Sequence, residues 1–382
     1  MKLCIVTHSV IKGDGQGRVN YEVAWEAIRR GHHVTLLASR VAPELEQNAL
    51  VNWVSISVKN LPTELLRNVI FAWKSTKWLH KHQKEIDLIE VNGAITWAEG
   101  DVNAVHFVHS SWRQFVWKEA KQKSGKTLGL RKILYELYQW IYTALNARWE
   151  KAAFGQAKVV VAVSEKVAKD LIEIGVPPEC IRVILNGVDL QEFSPGSTDR
   201  KRWGLPLEAT IALFAGDIRI PRKNLDTVLY ALVEVPELHL AVAGITEGSP
   251  YLQLAASLGL SDRVHFLGLR QDIPELMKAV DFLVFPSHYE PFGLVVIEAM
   301  ASGLPAITSS STGAASLLTP ESGIVLSDAN DTQALAQALL LLASDEDLRQ
   351  KMGQAARTVA EQHSWASMAK SYLDLFLEVY SL

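Results

Sequence analysis

With 382 residues the chain is long enough for two domains of ordinary size, each burying its own core, which excludes a single small module. Its 38 basic and 42 acidic side chains leave a net charge of −4, so no global charge draws it to nucleic acid, and a basic patch, if there is one, has to be local. Cys4 and Cys180 are its two cysteines, both in apolar strand-like runs, which excludes a disulfide scaffold or a cysteine metal site and fits a reducing cytoplasm.

The start, MKLCIVTHSV, enters a strand pattern at once, with no long apolar segment or small-residue cleavage site. No apolar run approaches the roughly 18 residues of a spanning helix, so a cytoplasmic location is expected. Short β-rich runs then alternate with helical patterns: KLCIVTHS, HVTLLAS, VNWVSISV, DLIEVNG, AVHFVHS, KVVVAVS and IRVILNGVD. Between the first two lies RVNYEVAWEAIRRG, with Val19, Val23 and Ala27 at helical spacing and Gly31 as a natural stop. After the turn-rich NGVDLQEFSPGSTDRKRWG the pattern begins again with ATIALFAG, a helix from KNLDTVLYAL, then LHLAVAG, RVHFLG, DFLVFPS and PAITSS, and a mostly helical end is expected from Asp331 onward. Such alternation predicts an α/β protein with two parallel sheets, and ligands of such sheets sit at the carboxyl ends of the strands.

Two loops carry candidate binding groups. Gly13, Gly15 and Gly17 fall at the first strand-to-helix turn, where glycines let backbone approach a ligand and a helix offers N–H groups to anions. Their spacing is G-x-G-x-G, which breaks the dinucleotide fingerprint, and a merely flexible turn is the other reading. In AGDIRIPRKNLDTVL, Gly216 ends a strand and Arg222 and Lys223 stand just ahead of a helix. Two cations there suit a diphosphate; a solvated basic turn is the alternative. Asp345 and Asp347, the one Asp-x-Asp, read as a solvated helix start and not as a metal site.

Residues 264–307 carry the strand FLVFPS, an E-P-F-G-L turn, a second glutamate eight positions after the first, and A-M-A-x-G-x-P. This stretch resembles the nucleotide-sugar site of the GT-B glycosyltransferases, most closely the retaining group called family four. The first glycine loop, R-G-H at 30–32, N-G-V-D at 186–189 and R-K at 222–223 agree with that family in order. The resemblance implies two Rossmann-like domains facing across a cleft: residues 1–190 binding acceptor, residues 191–364 binding the nucleotide sugar, and a C-terminal helix, 365–382, crossing back to the first domain. It implies a retaining transferase that moves a hexosyl unit from a nucleoside diphosphate sugar to a hydroxyl of a glycan, a lipid-linked or a small-molecule acceptor. No cofactor and no metal are expected. A non-catalytic nucleotide-sugar-binding protein and a related enzyme such as an epimerase are the alternatives.

By the same resemblance Glu290, His109, Arg222 and Lys223 form the catalytic set. Glu290 touches the sugar hydroxyls beside the turn of Phe292, Gly293 and Leu294. Arg222 and Lys223 neutralise the leaving diphosphate, Glu298 grips the ribose, and His109 lines the sugar and acceptor side. Gly15, Gly17, Gly216 and Arg270 complete the donor site, Arg270 beside the base. With a helix starting near Pro291, Glu298 lies roughly 10 Å along its axis. Two positions depart from the pattern: Asp217 stands where many relatives carry arginine, leaving Arg219 and Arg222 to supply charge, and Ser316 stands near a common glutamate.

Residues 113–132 hold seven basic side chains against one acid, Glu119, with Trp117 among them and Trp112, Tyr135, Tyr138 and Trp140 on either side. Basic charge with interfacial aromatics favours an anionic membrane surface met by residues 112–140, placing the protein at the inner face of the membrane; a soluble insertion with a lysine-rich loop is the other reading. Nucleic acid is not an expected partner, since no recognised fold or stacking platform accompanies the charge.

Overall fold

A computed structural model describes residues 1–112 and 130–381. The chain forms two compact units, Met1–Asn186 with Trp365–Leu382, and Gly187–Ser364. In the first unit the described residues give a parallel sheet of β1 (Lys2–Val6), β2 (His33–Ala38), β3 (Val51–Ser55), β4 (Leu88–Asn92), β5 (Val102–Val105), β6 (Val159–Ala162) and β7 (Ile181–Val183). Their spatial order is β3-β2-β1-β4-β5-β6-β7. Every residue of the run VVVA in β6 is buried, the pattern of a strand covered by helices on both faces.

Helix α1 (Gly15–Arg29) follows β1, and Val19, Val23 and Ala27 are all fully buried on its inner face. Gly31, at φ +78°, closes it in the left-handed conformation that glycine adopts without Cβ strain. Helix α2 (Glu64–His82) is capped by Thr63, whose hydroxyl accepts from Leu66 N–H. Helix α3 (Leu130–Gln156) precedes β6, and α4 (Glu165–Glu173) is capped by Ser164. One face of the sheet packs Cys4, Val6, Leu37 and Val91 against Phe71 and Leu79 of α2, each large side chain contributing about 1.5–3 kcal/mol by burial. Burial also pushes the Cys4 thiol far up, which makes it an inert core residue.

The second unit repeats the plan with β8 (Thr210–Ala215), β9 (Leu238–Ala243), β10 (Val264–Gly268), β11 (Phe282–Phe285), β12 (Ala306–Ser309) and β13 (Gly323–Leu326). Their order is β10-β9-β8-β11-β12-β13. Both sheets therefore reverse direction beside their first strand, between β1 and β4 and between β8 and β11, the place where a crevice opens at the carboxyl ends. Strand β13 is absent from the sequence expectation because its apolar run, IVL, is short and bracketed by polar residues; its glycine fits because a Cβ at Gly323 would lie 2.6 Å from the Ala306 carbonyl.

Helices α5 (Leu225–Val233), α6 (Leu294–Ala301), α7 (Thr332–Ser344) and α8 (Glu346–Ala360) accompany this sheet. Asp331 caps α7 and Asp345 caps α8, each accepting a backbone N–H at 2.8 Å, so the Asp-x-Asp is a helix start. The chain then returns to the first unit as α9 (Trp365–Ser381), which packs on α1. Arg30 donates to Asp374 at 2.8 Å, and the Arg18 guanidinium lies 5.4 Å from the Trp365 ring centroid.

Candidate functional site

In the second unit the ends of β8, β11 and β12 bring several of the expected residues together. Gly216 follows β8, and a Cβ on it would lie 3.7 Å from Lys223 Cε. The turn Pro221–Lys223 ends at Asn224, which takes φ +64° at the start of α5 and is fully buried. Its amide donates to the carbonyls of Pro286 at 2.9 Å and Ala329 at 2.7 Å, and its carbonyl accepts from Thr227 at 2.6 Å. Asn224 thus ties the arginine-lysine turn to the loop after β11. Sequence reasoning missed it, although asparagine is the residue type after glycine that most often accepts a left-handed backbone.

The loop after β11 is laced to its neighbours on both sides. Ser287 Oγ and His288 N–H both donate to the Arg222 carbonyl at 2.9 Å. Glu290 N–H donates to Ser311 at 3.0 Å, Gly313 N–H returns to Glu290 at 2.8 Å, and Ala314 N–H reaches Phe292 at 2.6 Å. Gly293 has φ +92°, and a Cβ there would sit 2.8 Å from Thr312 Cγ2, so backbone conformation and space both demand glycine. Phe292 is buried beside it.

Arg222 donates to the Tyr289 carbonyl at 2.7 Å and to the Glu290 carboxylate at 3.3 Å, and the Lys223 ammonium pairs with the same carboxylate oxygen. Lys223 also lies 5.0 Å from the Phe285 ring centroid. Burial holds its ammonium below the usual lysine range; Glu290 offsets part of that, and Arg222 adds to it. The result is a half-buried cluster of two cations and one carboxylate at a topological switch point.

Helix α6 begins at Leu294, with Gly293 as its cap residue and no side-chain cap; Val296 N–H already donates to the Gly293 carbonyl at 2.9 Å, so the amides of Leu294 and Val295 are the first-turn donors that a bound oxygen can meet. This corrects the expected start near Pro291. Glu298, half-buried, then falls four residues past Leu294, about 6 Å along the axis. Arg270 lies apart, beyond β10, where it holds Asp272 through two hydrogen bonds of 2.8 and 2.6 Å. Arg219 is engaged by Asp217 in the same way, at 2.9 and 2.7 Å, so its charge is matched locally.

Gly15, Gly17 and His109 belong to the first unit. Gly15 opens α1, and a Cβ on Gly17 would come within 3.1 Å of the Ile11 carbonyl, so the tight loop itself requires that glycine. His109 lies beyond β5, which ends at Val105, before the end of the expected strand run. Its Nδ1 is 2.6 Å from Glu150 Oε1 on α3, and its backbone N–H donates to the same carboxylate. Sequence reasoning missed Glu150 as well: ARWEKAAF reads as an ordinary helix, and its glutamate lies 41 positions from the histidine.

Of the basic-aromatic segment, residues 113–129 lie outside the described residues. On either side of it Trp112 and Tyr138 are half-buried and Trp140 is exposed. Leu137 and Ile141 of α3 and Leu66 and Trp73 of α2 are exposed too. The two helices are tied by a hydrogen bond of 3.3 Å from Leu65 N–H to the Tyr138 hydroxyl. Among the described residues no helix is long and apolar enough to cross a membrane, and no group of three or more histidine, cysteine or acidic side chains is arranged to hold a metal ion.

Residues 197–359 match the family described as glycosyl transferases group 1, and residues 13–192 match glycosyltransferase family 4. The chain belongs to the family-four, group 1 glycosyltransferases. A D-inositol 3-phosphate glycosyltransferase of Corynebacterium kroppenstedtii is 33% identical to this family member over 236 residues, 56% of the chain and 52% of the relative. The match thus spans about half the length of that relative. Among solved structures, sucrose-phosphate synthase from Thermosynechococcus elongatus aligns with a TM-score of 0.79 at 21% identity, covering 100% of this chain and 99% of that one. Anabaena HepE in complex with UDP and glucose aligns with a TM-score of 0.72 at 22% identity, covering 98% and 99%. At such identity these two likenesses speak for the GT-B fold alone.

Proposed function

We propose that this family member is a retaining hexosyltransferase that takes its sugar from a nucleoside diphosphate donor and passes it to a hydroxyl of a glycan, lipid-linked or small-molecule acceptor. The observation that carries the reading is the cluster of Arg222, Lys223 and Glu290 beside the uncapped start of α6. A diphosphate brings negative charge that two partly buried cations stabilise far better than water-exposed ones do. Glu290 and the α6 amides then serve the sugar hydroxyls, and Glu298, a turn further on, serves the ribose. UDP-glucose is the first donor to try, because UDP and glucose occupy the structurally similar HepE. Arg222 and Lys223 supply the positive charge that a divalent ion provides in other transferases, so the reaction is proposed to need no metal and no cofactor.

A thermal-shift panel of UDP-, GDP- and ADP-sugars tests the donor site. One of them should stabilise the protein by about 2.7 kcal/mol at a hundredfold excess over Kd, and Arg222→Ala and Glu298→Ala should abolish most of that shift. No stabilisation by any nucleotide sugar, or an intact shift in both variants, removes the assignment.

The exposed Leu137, Trp140 and Ile141, which follow the lysine-rich residues 113–132 in the sequence, and the exposed Trp73 of α2 support a cytoplasmic protein that docks on an anionic bilayer. It should sediment with vesicles containing phosphatidylglycerol and not with phosphatidylcholine alone, and Trp73→Ala with Trp140→Ala should weaken that binding. Equal recovery with both vesicle types rejects the docking.

A further inference from the structure

The proposed function leaves Glu150 without a task, yet its surroundings are those of a group with one. It is 3% exposed, on the inner face of α3, and its carboxylate receives His109 twice, at the backbone N–H and at Nδ1. The histidine is also held from its sides: the Phe107 ring meets it edge-on with centroids 4.9 Å apart, and the Tyr142 ring does so at 5.8 Å. Tyr138, Tyr142, Asn146 and Glu150 recur every four residues and so share one stripe of α3. That stripe is pinned to α2, since the Tyr142 hydroxyl accepts from Asn68 at 3.4 Å and the Tyr138 hydroxyl accepts from Leu65 N–H.

We infer that Glu150 is the positioning residue of His109, fixing its ring so that Nε2 is presented as an acceptor for a substrate hydroxyl. A carboxylate against Nδ1 keeps the proton on that nitrogen and leaves the other ring nitrogen with its lone pair outward. The ring retains 22% exposure while its anchor has 3%, which is the arrangement of a presented group on a buried support. An unsupported ring would divide its time among rotamers and between tautomers, and only one combination offers Nε2 as an acceptor in the right place. This inference rests on the reading that His109 lines the sugar and acceptor side of the site.

Slow hydrolysis of UDP-glucose by the full chain supplies kcat and KM for Glu150→Ala, Glu150→Gln, His109→Ala and the double alanine variant, with thermal unfolding to check that each is folded. Glu150→Ala should lower kcat by about 10- to 100-fold, by analogy with the cost of losing the outer hydrogen-bond partner of a metal-bound imidazole, while KM for UDP-glucose stays within about twofold. The double variant should be no slower than His109→Ala alone, because one residue acts through the other. Glu150→Gln, which keeps an oxygen for Nδ1–H, should recover much of the loss and remains informative if the alanine variant does not fold. Nitrogen-15 NMR of the imidazole should show His109 protonated at Nδ1 in the wild type and in Glu150→Gln, and as a mixture of tautomers in Glu150→Ala. Losses that add in the double variant, wild-type kcat in folded Glu150→Ala, or a wild-type ring protonated at Nε2 overturn the inference. Wild-type kcat in His109→Ala would instead overturn the placement of His109 at the substrate, and the tautomer measurement still decides the role of Glu150.

Discussion

Asn224 shows how much of the site depends on residues with no chemistry of their own. It follows the two candidate phosphate ligands, holds a left-handed backbone, and answers two carbonyls and a hydroxyl from within the core. Asn224→Ala leaves those groups buried without partners and should destabilise the protein by about 3 kcal/mol, measured as a lower urea midpoint at unchanged slope. A loss within 0.5 kcal/mol, the range of an ordinary surface change, would mean that the turn is held by something else. Gly293 is the complementary case. The motif was legible in the sequence, yet the physical demand on the glycine comes from its backbone at φ +92° and from Thr312, 2.8 Å from where a Cβ would stand, neither of which the motif itself displays. Asn224 and Glu150 were missed for the same reason: the Pro286 and Ala329 carbonyls that Asn224 holds, and the imidazole that Glu150 holds, are remote in sequence.

At the scale of elements, the short apolar strands and the amphipathic α1 were readable because burial imposes its period on the residues themselves. Strand β13 was not, since its pairing with β12 depends on the sheet and not on its own three apolar residues. The start of α6 was misplaced by a few residues because Pro291 suits a first helical turn, whereas the interlocked loop delays the helix until Gly293 has turned the chain. Strand β4 carries a further unexpected group. Glu90 is fully buried, with neither carboxylate oxygen hydrogen-bonded among the described residues, and its charge would bear on Tyr372 of α9 and on Cys4. Burial alone pushes the Glu90 carboxyl from its ordinary 4.5 up to about 8. The folded state thus holds a proton that the unfolded chain releases above pH 4.5. Stability from this group is complete below that value and is lost as pH rises to about 8, by at most about 5 kcal/mol. Glu90→Gln should remove that slope, so that urea unfolding at pH 5 and pH 8 gives a smaller difference for the variant than for the wild type. Parallel pH profiles would show that Glu90 is ionised in the fold.

For the whole molecule, two sheets with the same reversal of strand order, beside β1 and beside β8, explain why the alternating pattern alone led to the right fold class. The division of the chain is less local: Trp365–Leu382 belongs with Met1–Asn186, a return made by the apolar face of α9 against α1 and by the Arg30–Asp374 pair. Membership of the family-four glycosyltransferases follows from the matches over residues 13–192 and 197–359. The central claim goes further, to a transfer that keeps the anomeric configuration of a sugar taken from a nucleoside diphosphate. The most direct measurement is proton NMR of the first glucose released from UDP-α-glucose during slow hydrolysis, recorded before mutarotation. The account predicts that the α-anomer of glucose appears first, together with UDP, and that Arg222→Ala suppresses both. Initial release of β-glucose, or no enzyme-dependent release of sugar and UDP, would contradict it.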